Sequence, residues 1–211
     1  MNLSGSISPV VSAVILGVAL LAALSIVYRS WRNGISPMPS PVVVRRAAVR
    51  ELRKLLRTPV SNEADGCSKE LDAPPGYGTI VEAGAGWGSL AVDLARSFPQ
   101  RQIIGIENSI LPWLFSRLAV RLSAVRNIRL LRGDIYEYSY EEAAAVFCYL
   151  YPGAMKRLDP ILRSRLAAGA WVVSICFALP GWRAAHEITC SDLYRTKIYF
   201  YRIEPDERGG I

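Results

Sequence analysis

The chain has 211 residues, enough for one ordinary domain and an appendage. Hydrophobic residues make up 51% and charged residues only 20%, which excludes a disordered chain. Lys and Arg number 25 against 18 Asp and Glu, and the resulting charge of +7 points to an anionic neighbour, either nucleic acid or a membrane surface. The four cysteines (Cys67, Cys148, Cys176 and Cys190) form no CxxC pair, which argues against a disulfide framework and against a structural zinc. A single histidine, His186, leaves no histidine-rich metal site, and no metal is expected.

No charged side chain occurs from Asn2 to Tyr28, and Val10–Tyr28 is a 19-residue apolar stretch. That is close to the ~20 residues that cross a bilayer core. A buried core helix would carry a polar stripe, and a cleaved signal peptide would begin with a basic segment; neither is present. The expectation is a short tail over 1–9 and a single transmembrane helix over 10–28. Arg29 and Arg32 follow directly, then Arg45, Arg46, Arg50, Arg53, Lys54 and Arg57. By the positive-inside rule the remainder lies on the cytoplasmic side, with the basic segment drawn to anionic headgroups.

A basic, Pro-rich linker over 29–41 includes the run Asn33–Pro41, which reads as extended. Val42–Arg57 reads as a helix, because Val44, Ala48, Leu52 and Leu55 recur at helical spacing. Pro59–Tyr77 is a polar loop. Strands are then expected at Thr79–Ala83, Gln102–Ile106, Asn127–Leu131, Ala143–Leu150 and Ala170–Phe177. Helices are expected at Gly88–Ser97, Leu111–Ala124 and Ala154–Leu166. Between Trp182 and Tyr194 there is little room for a full crossover, so the last strand, Thr196–Ile203, is expected to run antiparallel. Residues 204–211 read as a disordered tail. Alternation of this kind implies an α/β fold over 42–203, a parallel sheet with helices on both faces and ligands at the strands' carboxyl ends.

The most informative segment is Glu82-Ala-Gly84-Ala-Gly86-Trp-Gly88, between a predicted strand and a predicted helix. Glycines there allow a tight turn and the close approach of a ligand. No Lys follows as a P-loop requires, and the third glycine of a dinucleotide fingerprint would fall at Ser89. Glu107 ends the second strand, where an acid can accept both hydroxyls of a ribose. Asp134 follows the third strand, placed for an adenine amino group. Three acids at three successive strand ends, with this glycine loop, point to an adenosyl cofactor.

These residues resemble the class I S-adenosylmethionine-dependent methyltransferases, over roughly Val42 to the C-terminus. The resemblance implies a Rossmann-like methyltransferase domain and S-adenosyl-L-methionine as cofactor. It places Gly84, Gly86 and Gly88 along the methionine moiety, Glu82 near its ammonium group, Glu107 and Asn108 at the ribose, and Asp134 and Ile135 at the adenine. The layout of membrane segment, proline-rich joint, short helix and compact core is similar to the FAM173-type protein-lysine methyltransferases. Ser36–Pro41 stands where that family has a tyrosine-containing proline element, and here lacks the tyrosine. Asp134-Ile135-Tyr136, Tyr149–Pro152 and Phe177–Trp182 also resemble segments of its bacterial members.

Methyl transfer from a sulfonium needs a positioned, desolvated nucleophile. Tyr149 and Tyr151 are the candidate catalytic residues, with Phe177 and Trp182 as possible channel walls and His186 as a possible base. The expected reaction is N-methylation of a lysine on a membrane-associated protein, with the bilayer itself as a further partner. A lipophilic small molecule such as a quinone precursor is an alternative acceptor, and an inert cofactor-binding membrane protein a second alternative. No NPPY-type motif follows the fourth strand, and nucleic acid is not favoured.

Overall fold

The computed structural model of the protein describes residues 8–33, 41–56 and 78–204, with side chains excepted at 22 and 25–33. Most of the expected linker (34–40), the loop 57–77 and the tail beyond Glu204 lie outside the described residues. The chain divides into two units, Met1–Pro37 and Met38–Ile211. In the first, α1 (Pro9–Asn33) contains the whole apolar stretch from Val10 to Tyr28. Among the described residues no helix is long and apolar enough to cross a membrane.

The second unit is a seven-stranded mixed sheet. Its strands are β1 (Thr79–Ala83), β2 (Ile103–Glu107), β3 (Ile128–Arg132), β4 (Ala143–Cys148), β5 (Trp171–Ile175), β6 (His186–Thr189) and β7 (Lys197–Arg202). The spatial order is β3-β2-β1-β4-β5-β7-β6. The first five strands are parallel, and β7 runs antiparallel to both β5 and β6. The chain winds outward from β1 to β3 and then returns to β4 on the other flank of β1. That reversal makes the β1–β4 boundary the topological switch point, where a crevice opens above the carboxyl ends.

Residues aligned across the sheet share a face, because side chains alternate along a strand. Ile80, Ile103, Ala145, Phe147, Val173, Ile198 and Phe200 form one cluster with α2 (Val42–Leu55) and α3 (Ser89–Ser97). The helices bury matching stripes: Val44, Ala48 and Leu52 on α2, and Leu90, Ala91, Leu94 and Ala95 on α3. Arg45 Nε of α2 pairs with Asp93 Oδ2 of α3 at 2.8 Å, and Arg53 donates to Ser97 O, so the two helices run side by side in the same direction. The helix α4 (Ile110–Leu122) joins this layer through Ser116, which meets Gly88. On the opposite face, α5 (Pro152–Arg165) buries Ala154, Met155, Leu158 and Leu162, none of which belongs to that cluster.

Two connections on the α5 side carry no helix, and aromatic side chains fill the space. Tyr140, fully buried, donates to Ile135 O at 2.6 Å. After β5, residues 176–185 return to β6 without a crossover helix, as the short spacing implied. Leu179 N donates to Tyr201 Oη at 2.9 Å, and Trp182 packs edge-on against Tyr201. The strand β6 was not expected from the sequence. It is four residues long, sits at the sheet edge and is half exposed, so its signal is only the short alternation His-Glu-Ile-Thr. The antiparallel β7 matches the expected last strand, beginning one residue later.

Candidate active site

The loop leaving β1 has φ values of +84° at Gly84, +51° at Gly86 and +77° at Gly88. Left-handed backbone of this kind favours glycine. At Gly88 a Cβ would stand 2.8 Å from Ser116 Cβ and 3.1 Å from Ser116 Cα, so the close approach of α4 adds a second requirement. At Gly86 nothing lies within 4 Å of a Cβ position, so the backbone faces open space.

Glu107 is tied to this loop by its own carboxylate. Oε2 accepts the Gly86 backbone N–H at 2.9 Å and Oε1 accepts the Ser109 N–H at 2.8 Å. A carboxylate oxygen has two acceptor directions, so both oxygens keep capacity for a pair of hydroxyl donors. Asn108 Oδ1 accepts from Ser109 Oγ at 3.1 Å beside it. Asp134 Oδ1 accepts the Tyr136 N–H at 2.9 Å, which fixes the turn that carries Ile135. The Arg157 guanidinium lies 3.9 Å from the centre of the Tyr136 ring and braces the same turn from α5.

Glu82 is 6% exposed and lies beneath the loop on the α3 side of the sheet. Burial pushes its carboxyl well above the usual range; the Ala91 backbone N–H opposes this, and the nearby charge of Glu107 reinforces it. Ala91 is in the first turn of α3, where backbone N–H groups lack helical partners. Among the described residues Glu82 Oε2 has no hydrogen-bond partner. A buried acceptor without a donor is costly, and a cationic donor arriving at the glycine loop would relieve it.

The two candidate tyrosines turn to different neighbours. Tyr149 is half-buried against the α2–α3 cluster, and its phenol is pushed up by burial and by Cys176 and Asp192 nearby. Tyr151 lies over Gly153, beside Tyr136. Between them Leu150 is buried, and its Cδ2 lies 3.0 Å from the Cβ position of Gly84. The candidate wall residue Phe177 is partly exposed, whereas Trp182 Nε1 is bonded to Asp159 and its ring carries Arg163. His186 Nε2 lies 3.2 Å from Glu51 Oε1, tying β6 to α2.

Asp192 was not singled out from the sequence. It sits in the β6–β7 turn, where Thr196 N donates to Oδ1 at 2.8 Å and Thr196 Oγ1 to Oδ2 at 2.6 Å. Those bonds hold its carboxyl below the usual range. Burial raises the thiols of Cys176 and Cys190, and the charge of Asp192 adds to the rise. Asp192, Tyr149 and Cys176 therefore form one group at the carboxyl ends of β4 and β5. The only local signal was the Asp-x-x-x-Thr spacing, which is common in turns. Among the described residues no group of His, Cys, Asp and Glu could hold a metal ion.

The acceptors present fit S-adenosylmethionine: an orphaned buried carboxylate oxygen, an open glycine backbone, and an acid whose two oxygens are pre-aimed by backbone bonds. Residues 82–186 match the family model described as the ANTKMT methyltransferase domain, a span that runs from Glu82 to His186. No curated protein matches the sequence. Among solved structures, the chain is similar to an RNA methyltransferase from Salinibacter ruber in complex with S-adenosyl-L-homocysteine. The TM-score is 0.64 at 24% identity, over 80% of this chain and 95% of that one. A putative methyltransferase, yhhF, from Escherichia coli gives 0.54 at 15% identity, over 79% and 88% of the two chains. TrmN from Thermus thermophilus gives 0.50 at 15%, over 59% and 44%. The structural likenesses speak to the fold, and the family model to the activity. The chain is a class I S-adenosylmethionine-dependent methyltransferase, resembling the FAM173-type enzymes.

Proposed function

We propose that this methyltransferase is anchored in a membrane by α1 and N-methylates a lysine of a membrane-associated protein. The observation that carries the acceptor is the group of Asp192, Tyr149 and Cys176 at the ends of β4 and β5. S-adenosylmethionine supplies an electrophilic methyl group on a sulfonium, with a neutral thioether as leaving group. Glu82, Gly86, Glu107 and Asp134 bind and orient it through the carboxylates and backbone groups described above. Asp192 stays ionised at neutral pH and attracts a lysine ammonium. The Tyr149 ring offers a face for the same cation. Withdrawal of the amine from water favours its neutral form, whose lone pair attacks once the proton has gone to solvent. Tyr149 remains a protonated phenol there, because its pKa is raised.

The membrane part of the reading is supported by α1 itself. Its side chains Val10, Val14, Ile15, Val18, Leu21 and Leu24 are large, apolar and exposed. A helix apolar on all sides needs an apolar surround. The basic flank from Arg29 onward favours a cytoplasmic catalytic unit. Membranes incubated with tritiated cofactor and the full chain test the whole reading. Label in protein that hydrolyses to methyl-lysine supports it. Label in extracted lipid or in RNA moves the acceptor to those classes, and label nowhere leaves an inert cofactor-binding protein.

A further inference from the structure

In the helix α4 only Pro112 and Ser116 are buried, Leu111, Trp113, Ala119 and Val120 are half-buried, and the other large apolar residues face outward. Leu114 is 48% exposed, Phe115 54%, Leu118 53% and Leu122 76%. Leu114, Leu118 and Leu122 repeat every four residues, so they form a continuous stripe, and Phe115 widens it. The exposed Arg117, Arg121, Arg126 and Arg132 lie in and just beyond this helix. No Asp or Glu occurs from Asn108 to Gly133.

We propose that α4 and the adjoining β3 edge form a docking face for an anionic lipid bilayer. A helix with an apolar stripe and an all-cationic margin lies in the headgroup plane, leucines inward and arginines on the phosphates. Charge alone would suit RNA equally well. The stripe decides between them, because a phosphodiester backbone offers nothing to Leu114, Leu118 and Leu122. The face is also connected to the cofactor loop: Phe115 packs edge-on against Trp87, with ring centroids 5.3 Å apart, and Gly86 and Gly88 flank Trp87. Docking at α4 therefore bears on the loop that receives the cofactor. This inference deepens the membrane reading above, and the experiment separates the two.

The full chain is reconstituted in vesicles of phosphatidylcholine alone, or of phosphatidylcholine with phosphatidylglycerol, and footprinted with hydroxyl radicals. The proposal expects severalfold protection of Phe115 and Leu118 on the anionic vesicles alone, reversed by high salt. Leu118→Ser combined with Leu122→Ser should abolish protection at Phe115 while leaving the thermal midpoint unchanged, since both positions are exposed. Equal exposure on the two vesicle types overturns the proposal. So does protection that follows protein concentration, which indicates a second copy, or protection produced by RNA without lipid. Alkaline carbonate extraction reports on α1 separately. Extraction with Phe115 still protected removes the anchor and keeps the docking face; retention with Phe115 unprotected keeps the anchor and removes the face.

Discussion

Glu107 Oε2 accepts the backbone N–H of Gly86 at 2.9 Å, so the second-strand acid and the glycine loop are one structural unit. The residue expected to hold the ribose also sets the path of the loop that passes the methionine moiety. Loss of Glu107 therefore removes two functions together.

For Glu107→Ala, calorimetric titration should show cofactor affinity reduced by about a hundredfold or more. The reason is the loss of two charge-assisted bonds of roughly 1.5–3 kcal/mol each. Glu107→Gln keeps one acceptor oxygen and should fall between the variant and the wild type. Unchanged affinity in Glu107→Ala would remove this residue from the cofactor site.

Gly86→Ala and Gly88→Ala should separate binding from folding. At Gly86 the space is open, so the added methyl costs only the left-handed backbone strain, about 1–2 kcal/mol. That chain should fold and bind cofactor poorly. At Gly88 the Cβ would meet Ser116 Cβ at 2.8 Å, so α4 must shift and the thermal midpoint should drop further. Each 1 kcal/mol moves the midpoint by roughly 2–4 °C in a chain of this size.

Glu82 gives a pH signature. Its folded pKa is raised well above the ordinary 4.5, so the native state keeps a proton that the unfolded chain releases. The stability from this group is fully present below the unfolded pKa and is lost as pH rises through the folded value. Glu82→Gln mimics the protonated form. Melting curves from pH 5 to pH 8 should show the variant gaining on the wild type as pH rises. The same variant should bind cofactor more weakly, because the carboxylate that would face a cation is gone. A wild-type melting profile parallel to that of Glu82→Gln would mean that the buried acid does not titrate in this window.

Asp192→Asn should leave cofactor affinity unchanged and lower kcat/KM for the acceptor. Asp192 acts on Tyr149 and Cys176 through its charge, and its hydrogen bonds stay within its own turn rather than reaching the glycine loop. With its carboxyl held below the ordinary 3.8, it should contribute no limb to the rate profile above that pH. Kinetics on a lysine-containing membrane fraction, compared across wild type, Asp192→Asn and Tyr149→Phe, would check both points. A loss of cofactor binding in Asp192→Asn would reassign it.

What the sequence determined by itself was set by short-range chemistry. The glycine run, the three strand-end acids and the alternation of apolar runs sit within or next to single elements, so their spacing survives into the fold. Strand β1 appears at Thr79–Ala83 as expected, and α3 begins directly after Gly88. Helix α5 begins at Pro152 rather than Ala154, because proline is well suited to the first helical turn. What only the tertiary structure decided was which distant residues meet. Asp192 comes near Tyr149, some forty residues earlier in the chain, because β7 pairs with β5 and carries the β6–β7 turn back to that end of the sheet, with no local trace. Tyr149 and Tyr151, two residues apart, take different neighbours because packing at the end of β4 divides them. The outward stripe of α4 has the same cause. Its helical period was legible, but whether its leucines face the sheet or the surroundings depends on Ser116 being the residue that fits against Gly88.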